Sequence, residues 1–183
     1  MSENGESTAD RNTDDDQENN VLPVQVAVCG PRLCTTEDAR RAEEIGRLLA
    51  QAGATVLCGG GTGVMAAVAE GASGAGGIVI GVRPDTDRNS ICPGLTAVLF
   101  TNMGEARNSI IIESADAVIV VGGSWGTLSE LALANRRGNV PVISIGGWRI
   151  LDNDGHEVVG SVHTNSPDEA VTTALAMASG AGH

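Results

Sequence analysis

Short apolar runs alternate with longer stretches of helical periodicity from residue 24 onward. The apolar runs predict buried strands at 24–30, 54–58, 77–82, 96–100, 116–121 and 141–145. Between them, apolar residues recur at helical spacing and predict helices over 37–53, over 65–69, over 103–114, from 127 to 135 and over 167–176. The segment 148–162 fits either a loop or a hairpin that turns at Asp154 and Gly155.

Strands that alternate with helices are typical of βαβ units and a parallel sheet. We therefore expect an α/β protein with a three-layer, doubly wound (Rossmann-like), mostly parallel sheet. The length of 183 residues suits one hydrophobic core better than two, so we assign residues 23–180 to a single domain. Thr35 or Thr36 is expected to cap the first helix, and Gly53 to end it.

The net charge of −12 is shared equally between a short N-terminal segment and the rest of the chain. Residues 1–20 contain seven acidic side chains, one arginine and few apolar groups, so we predict a disordered acidic tail over residues 1–22. An acidic body lacks the clustered cations that non-specific nucleic-acid binding needs. No apolar run reaches the roughly 20 residues of a membrane span. We expect neither nucleic acid nor a membrane as a partner.

Two residue types restrict the chemistry. All eleven basic residues are arginines, and the sequence contains no lysine. A Walker A loop and a Schiff base to pyridoxal phosphate both require lysine, so both are excluded. The four cysteines form no Cys-x-x-Cys pair and have no histidine at ligand spacing, which favours reduced structural thiols in the cytoplasm over zinc or disulfides. We expect no metal ligands.

Glycine-rich segments follow the second and the fifth predicted strand. In an open α/β sheet, ligands bind beyond the carboxyl ends of the strands, where glycine lets backbone amides approach and a helix points its positive end at an anion. Either segment alone is also a common structural turn. Together they predict one site for a phosphate-bearing ligand, formed by two groups of residues: Gly59, Gly60, Gly61 and Gly63, and Gly122, Gly123, Ser124, Gly126 and Thr127.

Two charged residues near these segments are candidates for catalysis. Glu130 follows Thr127 by three positions, a spacing that is also typical of a helix capping box. Arg107 could equally form a surface salt bridge with Glu105 or Glu113. From the residues alone, both interpretations remain open.

The motifs of the chain resemble those of the LONELY GUY-like family, often mislabelled lysine decarboxylases. The segment GGGTGVM at 59–65 matches a family glycine triplet, and GGSWGTLSE at 122–130 matches the hallmark Pro-Gly-Gly-x-Gly-Thr-x-x-Glu. Met103 and Arg107 loosely match a helix start, and the 23-residue separation of Arg107 and Glu130 agrees with the family spacing. The resemblance spans about residues 24–145.

This resemblance implies a phosphoribohydrolase that releases a base from a nucleoside 5′-monophosphate. Glu130 would polarise the ribose or the attacking water, and Arg107 would orient the ligand and stabilise charge at the glycosidic carbon. The family also forms dimers. Three consecutive isoleucines at 110–112 and leucines at 128, 131 and 133 offer more apolar surface than one buried stripe needs, so we expect a homodimer or a larger oligomer.

Departures from the hallmark make a second function possible. Gly122 replaces the family proline, Ser124 replaces a glycine, and the histidine and lysine beside the family arginine are absent. This pattern is similar to that of molybdenum cofactor carrier proteins, a side branch that holds a phosphorylated pterin without cleaving it. Three alternatives therefore remain: a phosphoribohydrolase, a carrier and a nucleotide sensor. None requires a cofactor, although a nucleotide or molybdopterin-type ligand could be bound.

Overall fold

The computed structural model describes residues 22–158 and 160–180. The prediction of a disordered acidic tail therefore lies outside the described residues, apart from Leu22. Helices α1 to α5 span Thr36–Gln51, Val64–Gly74, Asn108–Glu113, Trp125–Arg137 and Pro167–Gly180. Among these helices, none combines the length and the apolar character that a membrane crossing requires.

Seven strands form one parallel sheet in the order β4-β3-β2-β1-β5-β6-β7. The strands β1 to β7 span Gln25–Cys29, Thr55–Cys58, Val79–Arg83, Ala97–Phe100, Ala117–Val121, Val142–Ile145 and Val162–Thr164. The predicted Rossmann-like α/β class is confirmed, and all six strand pairs are parallel. The sequence did not reveal β7 because this strand has only three residues and mixed burial, too short for a periodic signal.

The helix starts follow local hydrogen bonding. Thr35 caps α1, and its hydroxyl and the Asp38 carboxylate each accept a hydrogen bond from the other's backbone amide, in a capping box. The helix predicted over 103–114 is divided in two, because the 3₁₀ turn Gly104–Arg107 precedes α3. This division turns the Arg107 side chain into the protein interior, where it is 4% exposed.

The sheet separates two hydrophobic layers. One layer packs β1, β2 and β5 against α1, α2 and α5, and includes Ile45, Val68 and Ile119. The opposite layer packs the other sheet face against α3 and α4, and includes Leu57 and Ile111. The result is the predicted three-layer sandwich.

The direction of winding reverses between β1 and β5, which are adjacent in the sheet although three strands separate them along the chain. From β1, the chain winds outward through β2 and β3 to β4. It then returns to β5 and winds the other way through β6 and β7. The loops after β1 and β5 leave in opposite directions and open a crevice between them. This position determines where a ligand site can form.

The segment after β6 adopts the hairpin alternative in a minimal form. Leu151 and Glu157 form one antiparallel bridge around a turn at 152–155. The Asp152 carboxylate accepts hydrogen bonds from the amides of Asp154 and His156, both at 2.9 Å. These bonds also explain why the exposed side chains of Asp152, Asp154 and His156 lie within 4.8 Å of one another.

Helices α1 and α2 approach so closely that glycine is required at their contact. A Cβ at Gly46 would lie 2.2 Å from the carbonyl oxygen of Val68, and a Cβ at Gly71 would lie 1.8 Å from that of Glu43. Both distances are far below van der Waals contact, and backbone cannot move aside as a flexible side chain can. The spacing of these two helices therefore depends on the two glycines.

We expect Gly71→Ala to lower the free energy of unfolding by about 2 kcal/mol or more, because the added methyl group forces α1 and α2 apart. Gly74→Ala is the matched control, since a Cβ at Gly74 in the same helix meets no atom within 4 Å. Alanine there should raise stability by about 0.5–1 kcal/mol, through helix propensity. Urea denaturation of both variants measures the difference, and equal effects would contradict the close contact.

Candidate functional site

A cavity of about 320 Å³ opens at the carboxyl ends of β1 and β5, where the winding reverses. The loop after β1 forms one wall, and the start of α4 forms the other. Side chains from α2, the 3₁₀ turn, α3 and α4 complete the lining. Its residues are Gly30, Pro31, Arg32, Leu33, Met65, Glu105, Arg107, Asn108, Ser124, Gly126, Thr127 and Glu130.

The Arg107 guanidinium lines this cavity without a protein partner for most of its donors. Its Nε and Nη1 atoms are enclosed and have no hydrogen-bond acceptor among the described residues. The surface salt bridge considered from the sequence is wrong on two counts. Arg107 is buried, and Glu113 instead lies 3.5 Å from Arg137. Burial lowers the pKa of Arg107, while the nearby Glu130 and Glu105 oppose that shift.

Gly59 gives the Arg107 side chain its space. A Cβ at Gly59 would lie 2.7 Å from Nη1 and 2.8 Å from Nη2 of Arg107. A Cβ at Gly63, where φ is +68°, would lie 2.4 Å from the carbonyl oxygens of Pro31 and Arg32. The first glycine segment therefore supports both the buried cation and the wall formed by the loop after β1.

Gly59, Gly60, Gly61 and Gly63 are not among the residues that line the cavity, so a contact between this first glycine segment and the ligand stays a prediction. Gly60 and Gly61 pack instead beside Arg83, whose Nη1 donates a hydrogen bond to the carbonyl oxygen of Gly60 at 3.4 Å. The amide of Cys92 also donates to that oxygen, at 3.1 Å. The loop after β3 thus covers this segment.

The second glycine segment contributes three of its predicted residues to the lining: Ser124, Gly126 and Thr127. Ser124 caps α4, and its Oγ accepts a hydrogen bond from the Thr127 amide at 3.2 Å. The amides of Trp125 and Gly126 precede the first helical hydrogen bond, which Leu128 donates to the Ser124 carbonyl. The cavity therefore faces the positive end of a helix.

Gly122 and Gly123 shape the loop from outside the cavity. Gly122 has a φ of +65°, which proline cannot adopt, so the family proline is incompatible with this loop conformation. A Cβ at Gly123 would lie 2.8 Å from the Trp148 ring. Trp148 also packs edge-on against the exposed Trp125, with 5.1 Å between the ring centroids.

Glu130 lies in the second turn of α4 and is 8% exposed. The capping-box interpretation is wrong, because Ser124 is the cap and Thr127 already lies in the first turn. Burial raises the pKa of Glu130 to about 7, and Arg107 opposes this effect. Cys29 lies nearby, and its thiol pKa is raised well above the usual value by burial and by Glu130. The structure thus places a carboxyl group that titrates near neutral pH beside a buried cation.

Sequence reasoning missed the loop after β1, together with Met65, Glu105 and Asn108. The Gly30-Pro31 pair directly after the first strand was the available signal, since it ends a strand at the same sheet edge as the glycine segments. The predicted pair Arg107 and Glu130 does line one cavity.

Comparison with known proteins identifies the family. A profile of the SLOG cluster4 family matches residues 23–175. The chain belongs to this family. The resemblance to LONELY GUY-like proteins, including their side branch of molybdenum cofactor carriers, is thereby confirmed.

Among relatives of this SLOG cluster4 chain, an uncharacterized protein of Archaeoglobus fulgidus is 38% identical over 135 residues, which cover 70% of the chain and 88% of the relative. The molybdenum cofactor binding protein of Rippkaea orientalis superposes with a TM-score of 0.76 at 29% identity, covering 85% of this chain and 98% of that one. The Chlamydomonas reinhardtii molybdenum cofactor carrier protein gives a TM-score of 0.73 at 26% identity, with 86% and 99% coverage.

The DNA processing protein A of Streptococcus pneumoniae shares the fold at 24% identity, with a TM-score of 0.64 and coverage of 82% of this chain and 61% of that chain. Such a distant likeness establishes the architecture alone.

The raised pKa of Glu130 predicts a pH-dependent stability. Because the folded protein binds this proton more tightly than the unfolded chain does, the stabilisation is fully present below pH about 4.5 and is lost as pH rises through about 7. In Glu130→Gln this dependence disappears. The unfolding free energy of wild type relative to the variant should fall by on the order of 2–3 kcal/mol between pH 4.5 and pH 8.

Urea titrations at these two pH values measure that change. Glu43→Gln, at an exposed position of α1, serves as the control and should show no comparable trend. A stability difference between wild type and Glu130→Gln that is independent of pH would contradict the buried, protonated carboxyl group.

Proposed function

We propose that this chain binds a phosphorylated heterocyclic small molecule in the cavity between β1 and β5 and holds it intact, as a carrier of a phosphorylated pterin such as the molybdenum cofactor. The observation that carries the proposal is the buried Arg107 side chain: the residue lines the cavity, and its enclosed Nε and Nη1 have no acceptor among the described residues. A buried cation without a protein partner is costly, and an anionic or strongly accepting ligand would offset that cost. Similarity to two molybdenum cofactor proteins supports this choice of cargo.

The phosphate fits best at the start of α4. The free amides in the first helical turn provide donors, as does whichever hydroxyl of Ser124 and Thr127 does not donate to the other, and the helix dipole favours an anion. Arg32 adds an exposed cation from the loop after β1. This arrangement needs no lysine. A cavity of about 320 Å³ lies at the small end of the range for small-molecule sites, roughly 300–1,000 Å³.

The ring system of the cargo fits against the apolar part of the lining. Met65 and Pro31 supply apolar surface beside the polar groups of α3 and α4. The ligand would then lie with its phosphate at the helix start and its heterocycle beside Met65. In this proposal, the chain's own residues bind and shield the cargo.

A phosphoribohydrolase is the second candidate function, and the Glu130 carboxyl group favours it. A carboxyl group with a pKa of about 7 can donate and accept a proton at physiological pH, as general acid–base catalysis requires. Glu130 would activate water toward the glycosidic carbon of a nucleoside 5′-monophosphate. Arg107 would then orient the sugar.

We expect Gly126→Val to weaken binding of AMP and GMP at least about tenfold without unfolding the protein. A Cβ at Gly126 meets only Ser124 Oγ, at 3.8 Å, so the helix tolerates the side chain while it fills space at the helix start. Calorimetry measures affinity, and circular dichroism checks the fold. Gly74→Ala, remote from the cavity, is the matched control. Full affinity in a folded Gly126→Val protein would contradict a phosphate site at α4.

A second experiment separates the carrier from the hydrolase. Purified protein is incubated with AMP and with prenylated AMP, and free base is measured by chromatography. The carrier predicts no base release from wild type, together with a fluorescent oxidised pterin extracted from the purified protein. Release of base that falls by about 10²- to 10⁴-fold in Glu130→Gln would establish the hydrolase instead.

A homodimer is proposed on a revised surface. Ile111 and Ile112, which suggested an interface from the sequence, are core residues that are 1% exposed. One part of the uncovered apolar surface lies on the α3 side of the sheet edge, and we propose it as the interface. By strand alternation Ile78 shares the face of Ile80, and by strand register Leu99 lies beside Val82 on that face. Ile78 and Leu99 are 49% and 50% exposed.

Leu99→Glu should shift a wild-type dimer toward monomer, because a second copy would have to bury the new charge. Light scattering at micromolar concentration measures the mass, and Ala132→Glu on the exposed side of α4 controls for added charge. A monomeric wild type would end the dimer proposal.

Two further expectations belong to this proposal. The four cysteines are all free, with Cys29, Cys58 and Cys92 buried, as in a protein of the reducing cytoplasm. Nucleic acid is not proposed as a partner, because the described surface belongs to an acidic chain that carries no lysine.

A further inference from the structure

Asn108 occupies an unusual position at the start of α3. It lines the cavity directly beside Arg107 and is 2% exposed. Its Nδ2 donates a hydrogen bond to a Glu105 carboxylate oxygen at 3.4 Å. Because a carboxylate only accepts hydrogen bonds, this contact requires the amide nitrogen to face Glu105 and turns Oδ1 to the other side. Among the described residues, no donor reaches Oδ1.

Arg107, the preceding residue and also part of the cavity lining, has the opposite deficiency. Its enclosed Nε and Nη1 are donors without acceptors, next in sequence to the enclosed acceptor of Asn108. Native proteins leave few buried polar atoms unsatisfied, so adjacent unsatisfied donors and an acceptor call for one common explanation. A ligand group with an acceptor and a donor on neighbouring atoms would satisfy both residues at once.

We propose that Arg107 and Asn108 together recognise the lactam edge of the ligand's heterocycle, with the ring carbonyl accepting from Arg107 and the adjacent ring N–H donating to Asn108 Oδ1. This inference rests on the proposed function, since it assumes that the cavity holds a phosphorylated heterocycle. The 2-amino-4-oxopyrimidine ring of pterins has this edge, and guanine has the same one. The pair therefore defines a class of ligand that includes the proposed cargo and one common nucleobase.

Two other ligand groups fit less well. A second phosphate or a carboxylate could accept from Arg107, but it would place negative charge against the Asn108 carbonyl oxygen. The adenine edge also offers an acceptor and a donor, but its ring nitrogen has one lone pair. A lactam oxygen has two lone pairs, so it can accept from one free nitrogen of Arg107 and still accept from a second donor. The number of lone pairs therefore favours oxo-heterocycles over adenine.

The test uses the full-length protein and three probes in calorimetry. GMP carries the lactam edge, O⁶-methylguanosine 5′-monophosphate has lost its ring N–H, and ribose 5-phosphate has no heterocycle. The variant Asn108→Leu keeps a similar side-chain volume and removes the amide. Asn139→Leu, at an exposed position outside the cavity, is the matched control. Thermal melting of the ligand-free variants gives a readout that is independent of binding.

We expect wild type to bind GMP about 10- to 100-fold more tightly than the O⁶-methyl analogue, since the analogue leaves Asn108 Oδ1 without a donor. Asn108→Leu should bind the two nucleotides with affinities within about threefold of each other, and ribose 5-phosphate as wild type does. Its ligand-free melting temperature should stay the same or rise, because an unsatisfied buried acceptor is removed. Asn139→Leu should behave as wild type.

Two results would overturn the inference while leaving the proposed function in place. One is unchanged discrimination between GMP and its analogue in Asn108→Leu, and the other is wild-type binding of AMP as tight as that of GMP. If Asn108→Leu melts several degrees lower and still discriminates, Asn108 is structural and the inference also fails. Wild-type protein that binds none of the three probes would overturn the proposed function and this inference with it.

Discussion

The burial of the Arg107 charge is the constraint on which the site depends. Removing a guanidinium from water costs several kcal/mol unless partners compensate. Here Glu130 attracts it, yet neither Nε nor Nη1 finds an acceptor among the described residues. The surroundings accommodate the charge in two ways. Residue 59 is a glycine, so no side chain competes with the guanidinium for space. The pKa of Glu130 is raised to about 7, so its carboxyl group can carry a negative charge near neutral pH. The burial of this cation beside a cavity therefore costs stability, and the proposed ligand would offset that cost.

The reversal of winding explains why the cavity lies where it does and why the sequence located it only in part. Alternating apolar runs and helical stretches were enough to predict the α/β class and six strands. The order of those strands was not predictable, because a strand's sequence does not specify which neighbour it pairs with. With β5 beside β1, the loop after β1 lines the cavity, whereas the glycines after β2 are not among its lining residues. The glycine-rich segments in the sequence could not show which strand-end loops line the cavity and which do not.

The sequence identified two residues of the cavity lining, but it did not show their surroundings. Arg107 and Glu130 were selected by their match to a family motif, and both do line the cavity. The alternative roles, a surface salt bridge and a helix cap, were reasonable from spacing. They failed because the 3₁₀ turn before α3 buries Arg107 and because Ser124 begins α4 one turn earlier. Asn108 was beyond reach, since only the three-dimensional contact with Glu105 shows which way its amide is turned.

The paired rings of Trp125 and Trp148 have an optical consequence. They are the only two tryptophans in the sequence, which contains no tyrosine. Trp125 begins α4, and Trp148 lies after β6, against the loop that follows β5. Ultraviolet emission of the whole protein therefore originates almost entirely from one corner of the molecule. Any change in the loop after β5 alters the environment of both indoles together. The chain thus carries an intrinsic spectroscopic label for the loop after β5 and the start of α4.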